Sequence, residues 1–323
     1  MQLSVIIVSY NTAKLTKQTI ESIENSLLEN SPLRKNFEVI VVDNQSSDDT
    51  LAVLKKIKAE NKLTLKIIEA KENLGFGKAN NLGFKMATGQ EILFLNSDTV
   101  VQKGALENLV DFYRTQQKQK KIGLLAARLM NKDGTEQAQG GDAPSLLTLF
   151  NTMFFLDDIP FLGKLLPSVQ HTGRRFAPKE VQTKTLVQKH WVAGTAVMID
   201  RDLFEKMEGF DPAIFMYGED QELAYRLEKK GYKNYILTTS KITHYGSASS
   251  SSGRAIVGEI EGYLYFWQKH KKENQFDYLR SLLWLAMLIR IVIFSFKKDE
   301  KKTKIYNNCL QVVENCRWQT QKN

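Results

Sequence analysis

Short apolar runs alternate with longer segments of mixed polarity through the first 130 positions of the chain. Four of these runs are almost continuously hydrophobic, at positions 5–8, 39–42, 92–95 and 122–127. Such runs are typical of strands that are buried on both faces of a parallel sheet. Since helical patterns separate them, the order predicts βαβ units and an α/β fold with a mostly parallel, Rossmann-like sheet flanked by helices.

Helix signals and further apolar runs define the remaining elements. Helices are predicted at 12–30, after the Ser46-Ser47-Asp48 capping cluster, at 78–86 and at 104–115. The second half predicts a strand at 191–199, a helix after Asp200, a helix at 220–230 and a strand at 235–237. Helices at 254–270 and 279–296 follow. We therefore expect a domain over residues 1–250, with halves 1–130 and 131–250, and a helical tail over 251–323.

Polar residues follow the predicted strands of the first half. They form the clusters Ser9-Tyr10-Asn11, Asp43-Asn44, Asn73 with Gly75 and Gly77, and Asn96-Ser97-Asp98. One such cluster alone is better explained as a turn or a helix cap. Because ligands of open α/β sheets bind at the carboxyl ends of the strands, the clusters together predict one binding site.

The basic residues narrow the class of partner. The formal net charge is +9, yet the basic positions form neither a groove pattern nor an RNA-binding signature, so we expect no nucleic acid. Many lysines flank apolar stretches late in the chain, at positions 269, 271, 272, 297, 298, 301, 302 and 304. This arrangement favours contact with an anionic membrane face, and a solvated lysine-rich surface is the alternative.

Two apolar segments are interrupted, and the uninterrupted stretches that remain are shorter than the roughly 18 apolar residues that a membrane span needs. The segment 144–166 is interrupted at 157–160, and it is a membrane-dipping or acceptor-binding segment or a helical hairpin packed on the core. The segment 279–296 contains Arg280 and Arg290 and ends at Lys297-Lys298. It is either an interfacial helix or a buried docking helix.

The cysteines and the start of the chain indicate the compartment. Cys309 and Cys316 are too few for a disulfide framework and have no metal-binding spacing, so a reducing compartment is favoured. The opening MQLSVIIVSYN has neither a basic region nor a small-residue cleavage site, so we expect no secretory signal. These features predict a cytoplasmic location, at the inner face of the plasma membrane.

Seven motifs in a fixed order resemble a known family. They are VIIVSYN, VVDNQSSDDT, ENLGFGKANNLG, LFLNSDTV, WVAGTAVMIDRDLFEKMEGFD, FMYGEDQELAYRL and ITHYGSAS, within residues 1 to about 250. Together they resemble bacterial family-two glycosyltransferases with the GT-A fold, in the rhamnosyltransferase-like branch of cell-surface polysaccharide synthesis. The resemblance implies a metal-dependent, inverting hexosyltransferase. Its donor would be dTDP-rhamnose or, second, a UDP-sugar, and its acceptor a glycan or a lipid-linked glycan.

The resemblance also implies a donor site. The nucleoside pocket would be lined by Val8, Ser9, Tyr10 and Asp43 and closed by Asn73, Gly75 and Asn81. The Asp43 carboxylate can accept a hydrogen bond from a pyrimidine N–H or a ribose hydroxyl, and the glycines permit close backbone approach. Trp191, Gly194 and Thr195 would lie beside the donor sugar and acceptor, although Trp191 could also be a core residue. His190 replaces an acidic residue common in the family, which leaves the identity of the two sugars open.

The metal site and the base follow from the same resemblance. Asn96-Ser97-Asp98 stands at the family's DxD-like position, with Asp98 as its one acidic residue and His244 as the implied second ligand of Mg²⁺ or Mn²⁺. A structural histidine is the alternative. Inversion requires a base opposite the leaving group, and the resemblance assigns it to Asp220, with Glu219 assisting or contacting the acceptor. The alternative is an acidic first helical turn, which the helix dipole favours.

Two other classes of protein compete with this interpretation. A sugar nucleotidyltransferase should carry a glycine-rich basic loop after its first strand, and VSYNTAKLTK lacks one. A catalytically silent nucleotide-sugar-binding or scaffold protein needs neither carboxylate, whereas Asp98 and Asp220 are both present.

Overall fold

The computed structural model describes residues 2–60, 63–159, 161, 163, 165–170, 184–246 and 253–318. The strands are β1 Leu3–Ser9, β2 Phe37–Asp43, β3 Leu65–Glu69, β4 Glu91–Asn96, β5 Thr99–Val101, β6 Ile122–Met130, β7 Leu186–Lys189, β8 Ala196–Asp200 and β9 Lys233–His244. The helices are α1 Ala13–Ser26, α2 Thr50–Glu60, α3 Gly75–Met86, α4 Ala105–Lys120, α5 Leu146–Met153, α6 Arg201–Lys206, α7 Glu219–Lys229, α8 Gly253–His270, α9 Glu273–Phe296 and α10 Glu300–Asn315.

The strands form one sheet in the order β3-β2-β1-β4-β8-β6-β9-β5, with β7 paired to β9. The first four strands in this order are parallel, as predicted. The second half makes the whole sheet mixed, because β8 is antiparallel to β4 and β6, and β5 and β7 are antiparallel to β9. Ser9 pairs with Asp43 and Val8 with Asn96, so the carboxyl ends of three strands lie level.

Both faces of the parallel strands are covered, which explains their continuous apolar runs. One cluster of buried side chains contains Val5 and Ile7 of β1 with Ile20 and Leu109 from α1 and α4. The other contains Ile6 of β1 together with residues of α6 and α7. Since alternate residues of a strand point to opposite faces, each run contributes side chains to both cores.

Several predicted boundaries were wrong. The strand predicted at 191–199 begins only at Ala196, because Trp191 forms an isolated bridge with Gly141 and donates its indole N–H to the Val169 carbonyl. The helix predicted at 12–30 ends at Ser26, since Leu27 has extended backbone angles. The helix predicted at 279–296 begins earlier, at Glu273. Strands β3, β5 and β7 were not predicted.

A third core joins α5 to the C-terminal helices α8, α9 and α10. Arg290 of α9 is buried there, donates to the carbonyl of Met153 at 2.5 Å, and lies 4.4 Å from the ring centre of Phe155. The apolar segment 144–166 is therefore packed on the core over α5. Its later part stays exposed, with Phe161 83% and Leu165 82% accessible.

Within the described residues, α9 alone is long and apolar enough to cross a membrane by length and composition. One of its faces packs against the protein, and 28% of its apolar stretch is buried. Its buried residues are Phe276, Leu279, Leu283, Ala286, Met287 and Arg290. The other face is exposed.

An ionic cluster joins α8 to α7. Glu222 of α7 has no exposed surface, and it accepts hydrogen bonds from Lys269 at 2.8 Å, His270 at 2.9 Å and Arg226 at 2.8 Å. Lys269 also pairs with Asp211. Burial by itself raises the pKa of Glu222, but the bonds from His270, Arg226 and Lys269 outweigh it and lower the pKa to about 2. The charged form of Glu222 therefore holds α8 to α7.

Glu222→Gln should lower the free energy of unfolding by about 3 kcal/mol at pH 7, because it leaves buried cations without a carboxylate. The folded pKa of Glu222 lies below the unfolded value of about 4.3, so its stabilisation is present above that pH and is lost as the pH falls towards 2. Urea unfolding at pH 7 and pH 3 should show the difference between wild type and variant shrinking in acid. Glu205→Gln on the exposed side of α6 is the control, and an equally small effect of both changes at pH 7 would refute the prediction.

Candidate active site

The level ends of β1, β2 and β4 form the crevice predicted for the nucleoside. Asp43 is buried, and its Oδ2 accepts a hydrogen bond from the Ser46 N–H at 3.3 Å. Its buried Oδ1 has no hydrogen-bond partner among the described residues. Ser9 is buried and bonded to Thr16, whereas Val8 is partly exposed and Tyr10 is exposed. The crevice thus contains an unsatisfied carboxylate oxygen, and such an atom costs free energy unless a ligand pairs with it.

A tight turn closes this crevice at the start of α3. The Asn73 side chain accepts hydrogen bonds from the Asn44 amide at 2.9 Å and from the Gly75 N–H at 3.0 Å. Gly75 has a φ of +74°, and a Cβ at this position would overlap the carbonyl oxygen of Phe215. That carbonyl accepts a hydrogen bond from the Phe76 N–H at 2.9 Å. Glycine is therefore required, and the turn ties α3 to the segment before α7.

Asn81, the other residue predicted to close the pocket, is engaged elsewhere. Its amide nitrogen donates to the Phe210 carbonyl at 2.7 Å, and its oxygen accepts from the Phe210 N–H at 3.0 Å. Both polar groups hold the loop after α6. Its assignment to the nucleoside pocket therefore stays a prediction.

Asp98 and His244 meet although they are far apart in sequence. Strands β5 and β9 are adjacent, with Thr99 opposite His244, and the Nε2 of His244 lies 3.2 Å from the Oδ1 of Asp98. Beside them, Ser97 shares a 3.1 Å hydrogen bond with Thr12. The Oδ1 of Asn96 is buried without a partner among the described residues.

This pair suits a hard divalent ion. Two ligands of one ion at ordinary bond lengths lie roughly 3 Å apart, close to the separation found here. The Nδ1 of His244 is 2.6 Å from the Oε1 of Gln137, so an Nδ1–H donated to Gln137 leaves the Nε2 lone pair facing Asp98. No group of three or more histidine, cysteine, aspartate or glutamate side chains that could hold a metal occurs in the described residues. The other ligands would have to be diphosphate oxygens and water.

Sequence reasoning missed Gln137. This residue lies between β6 and α5, where no motif marks it, and its backbone N–H bonds to the Leu129 carbonyl at 2.9 Å. Only the tertiary fold brings it beside His244.

Asp220 is held by backbone N–H groups at the start of α7. Its Oδ2 accepts from the Gly194 N–H at 3.1 Å and its Oδ1 from the Gln221 N–H at 2.8 Å. Gly194 thus contributes its backbone, and its neighbour Thr195 accepts a hydrogen bond from the Asn96 N–H at 2.9 Å. The segment after Trp191 therefore connects the base candidate to the end of β4.

Glu219 differs from its neighbour in its environment. It is buried, and its Oε2 has no hydrogen-bond partner among the described residues. Burial raises the pKa of both carboxyl groups, and the charge of Asp220 raises that of Glu219 further. Two backbone donors favour the charged form of Asp220. Asp220 is therefore the group that ionises first.

A cavity of about 240 Å³ lies against this pair. Asp220, Glu219 and Trp191 line it from the domain, and Glu259 and Tyr263 line it from α8. Trp191 is 7% exposed and bonded to the Val169 carbonyl at 2.7 Å, so it is both a core residue and part of the wall. Sequence reasoning missed the contribution of α8. The glycines at 258 and 262, which indicate close helix packing, were the available signal.

Residues 4–207 match the family model Glycosyl transferase family 2. The chain is 32% identical over 153 residues to poly(ribitol-phosphate) beta-N-acetylglucosaminyltransferase TarS of Staphylococcus aureus, over 47% of this chain and 25% of that protein. It is 29% identical over 258 residues to the probable N-acetylgalactosaminyltransferase 6 of Caenorhabditis elegans, over 76% of this chain and 38% of that protein. The chain thus spans only a quarter to two fifths of the length of these relatives.

The fold is also similar to that of solved glycosyltransferase structures. GalNAc-T7 with UDP, GalNAc and Mn²⁺ has a TM-score of 0.59 at 20% identity, covering 83% of this chain and 48% of that one. The mannosyltransferase PcManGT of Pyrobaculum calidifontis with GDP-Man and Mn²⁺ has a TM-score of 0.56 at 16% identity, covering 97% and 86%. Such low identities show the fold alone. Because the family model matches more than half of its length, the chain belongs to glycosyl transferase family 2 and has the fold of the GT-A glycosyltransferases.

Proposed function

We propose that the chain is a metal-dependent, inverting glycosyltransferase that transfers a sugar from a nucleoside-diphosphate donor to a hydroxyl of a glycan or lipid-linked glycan. The observation that carries this proposal is the position of Asp220. Its carboxylate is oriented by the N–H groups of Gly194 and Gln221 and lines a cavity large enough for part of a sugar.

Asp220 would act as the base. It takes the proton from the acceptor hydroxyl while that oxygen bonds to the anomeric carbon and the bond from this carbon to the diphosphate oxygen breaks. The attack is in line, so the configuration inverts. Since Glu219 keeps its proton to higher pH, it is suited to donate a hydrogen bond to a substrate oxygen.

The other half of the site would hold the donor. Asp43 offers an unpaired carboxylate oxygen to the nucleoside, and Asp98 and His244 would hold the metal at the diphosphate. A bound Mg²⁺ or Mn²⁺ supplies positive charge that stabilises the departing diphosphate. Asn96, whose buried Oδ1 has no partner in the described part of the chain, lies at the end of β4.

The relatives change the order of the donor candidates. One relative is an N-acetylglucosaminyltransferase, and its solved structures include complexes with UDP and UDP-GlcNAc. These names support a UDP-N-acetylhexosamine ahead of dTDP-rhamnose, which the sequence resemblance placed first. Poly(ribitol-phosphate) transferases and the O-antigen biosynthesis protein RfbC of Myxococcus xanthus are among the relatives, which supports a role in cell-surface polysaccharide synthesis.

We also propose peripheral contact of α9 with the cytoplasmic face of the membrane. Tyr278, Leu285 and Val292 are spaced by seven residues on the exposed face of α9, which ends at Phe296 with 85% exposure. Five exposed lysines follow, at 297, 298, 301, 302 and 304. An apolar stripe that is followed by a cluster of lysines complements the surface of an anionic bilayer.

Asp220→Asn should lower kcat by about 10³-fold or more and leave donor binding intact, because it removes the proton acceptor and keeps the shape. The assay is release of nucleoside diphosphate from UDP-GlcNAc, UDP-GalNAc, UDP-glucose, GDP-mannose and dTDP-rhamnose, with membrane lipid extract as the source of acceptor. Asp202→Asn, an exposed change on α6, should act like wild type. No release from any donor by the wild type would favour the silent binding protein.

Asp98→Asn and His244→Ala should each weaken Mn²⁺ binding in the presence of UDP by at least about tenfold, and Gln137→Ala by about tenfold, since Gln137 only orients the histidine. Electron paramagnetic resonance of free Mn²⁺ measures this without turnover. Asp133→Asn, an exposed carboxylate in the turn before Gln137, is the control. Unchanged Mn²⁺ affinity in both ligand variants would refute the metal assignment.

Replacing Lys297, Lys298 and Lys301 by glutamate should lower the fraction of protein that sediments with vesicles of phosphatidylglycerol and phosphatidylcholine by at least about tenfold. Leu285→Ser with Val292→Ser should weaken sedimentation by loss of apolar contact. Glutamate at Lys55, Lys56 and Lys58, three exposed positions on α2, is the charge-matched control. If the wild type fails to sediment and light scattering finds a dimer that the serine changes dissociate, the stripe is an interface between two copies.

A further inference from the structure

Two glycines of α8 bring this helix against the turn that precedes α7. A Cβ at Gly262 would lie 2.5 Å from the Tyr217 carbonyl oxygen, and one at Gly258 would lie 3.0 Å from the Met216 carbonyl oxygen. The two positions are four residues apart and so share one face of the helix. Glu259 follows Gly258 directly, which places it beside the start of α7.

The cavity between α8 and α7 has the chemistry of a sugar site. Its wall contains the carboxyl groups of Glu219, Asp220 and Glu259, the side chain of Gln170 and the aromatic surface of Trp191. Carboxylate oxygens accept hydrogen bonds from hydroxyl groups, and an aromatic wall packs against the C–H face of a sugar. The described lining residues include no lysine, arginine or histidine. A phosphate would find no cationic side chain in the described wall and would lie against the carboxylate of Asp220, so the unit inside the cavity should be uncharged.

Two carboxyl oxygen atoms in this wall have no hydrogen-bond partner among the described residues. Glu219 is 6% exposed, and its Oε2 has no partner in the described part of the chain. Glu259 receives both of its hydrogen bonds on Oε1, from Gln170 at 2.6 Å and from the Tyr263 hydroxyl at 2.8 Å. Within the same described residues, no donor bonds to its Oε2. A ligand with several hydroxyl groups would satisfy these atoms.

We propose that Glu259, contributed by the C-terminal helix α8, binds the acceptor. The acceptor unit would be an uncharged sugar or polyol that donates one hydroxyl to Asp220, for attack on the donor, and a second hydroxyl to Glu259. This proposal rests on the proposed function. It deepens that function by naming the class of acceptor unit and a residue that selects it.

A purely structural role for Glu259 makes a different prediction. The bond from Gln170 to Glu259 holds the segment before residue 171 against α8, and the bond from Tyr263 lies within α8. In that case its loss would lower stability and would affect reactions with water and with polyols alike. A binding role changes the dependence on the polyol alone.

Glu259→Gln separates the two roles in steady-state kinetics with the donor that the wild type uses. Ribitol and methyl β-D-glucopyranoside serve as probe acceptors, and donor hydrolysis by water is the basal reaction. The KM for the probe should rise about tenfold or more, because one hydrogen bond to a charged group is lost. The donor KM should stay within about twofold of wild type, and the ratio of transfer to hydrolysis at a fixed probe concentration should fall as the probe KM rises. Glu261→Gln, an exposed change on the same helix beside a neighbouring cavity, should leave all of these values unchanged.

Binding of the probes to the UDP- and Mn²⁺-loaded protein, followed by saturation-transfer NMR, tests the cavity without turnover. Loss of the probe signal in Glu259→Gln supports the proposal even if the wild type turns over no donor. The absence of donor turnover would then count against the proposed function alone. The proposal would be overturned if the wild type neither bound the probes nor changed its turnover in their presence. An equal loss of hydrolysis and transfer in Glu259→Gln would also overturn it. If Glu259→Gln does not fold, Glu259→Asp keeps the charge and should raise the probe KM with unchanged thermal unfolding.

Discussion

The turn that precedes α7 is in close backbone contact on two sides, and the catalytic geometry depends on it. On one side the Phe215 carbonyl accepts from the Phe76 N–H at a position where only glycine fits in front of it. On the other side Tyr217 lies directly against Gly262 of α8. Substitution of any of these glycines would push the turn away and displace Asp220 with it. Asp220, the proposed base, is therefore placed by elements from both ends of the chain.

The parallel half of the sheet positions the polar side chains at the ends of its strands. Its ladder pairing sets the ends of β1, β2 and β4 at one level, so that Asp43 and Asn96 lie at one edge. Both side chains have a buried oxygen without a partner in the described residues. A rigid sheet buried on both faces can hold unsatisfied polar atoms of this kind, since neighbouring groups cannot relax to pair with them. The crevice proposed to bind the donor is thus preorganised.

The C-terminal helices are more than an appendage in this arrangement. Glu222 is held by Lys269 and His270 of α8, and Arg290 of α9 caps the end of α5 at Met153. These contacts join α7 to α8, and they join α5 to α9, the helix proposed to contact the membrane.

The sequence by itself determined the class of the fold and the residue types of the site. Apolar runs such as 39–42 are typical of strands buried on both faces, and the ordered motifs singled out Asp98, His244, Glu219 and Asp220 as candidates. Contacts between distant segments were decided only by the tertiary structure, because spacing along the chain carries no information about them. The pairing of β5 with β9 brought His244 to Asp98, and the loop after β6 supplied Gln137. The approach of α8, made possible by two glycines, placed Glu259 in the catalytic cavity.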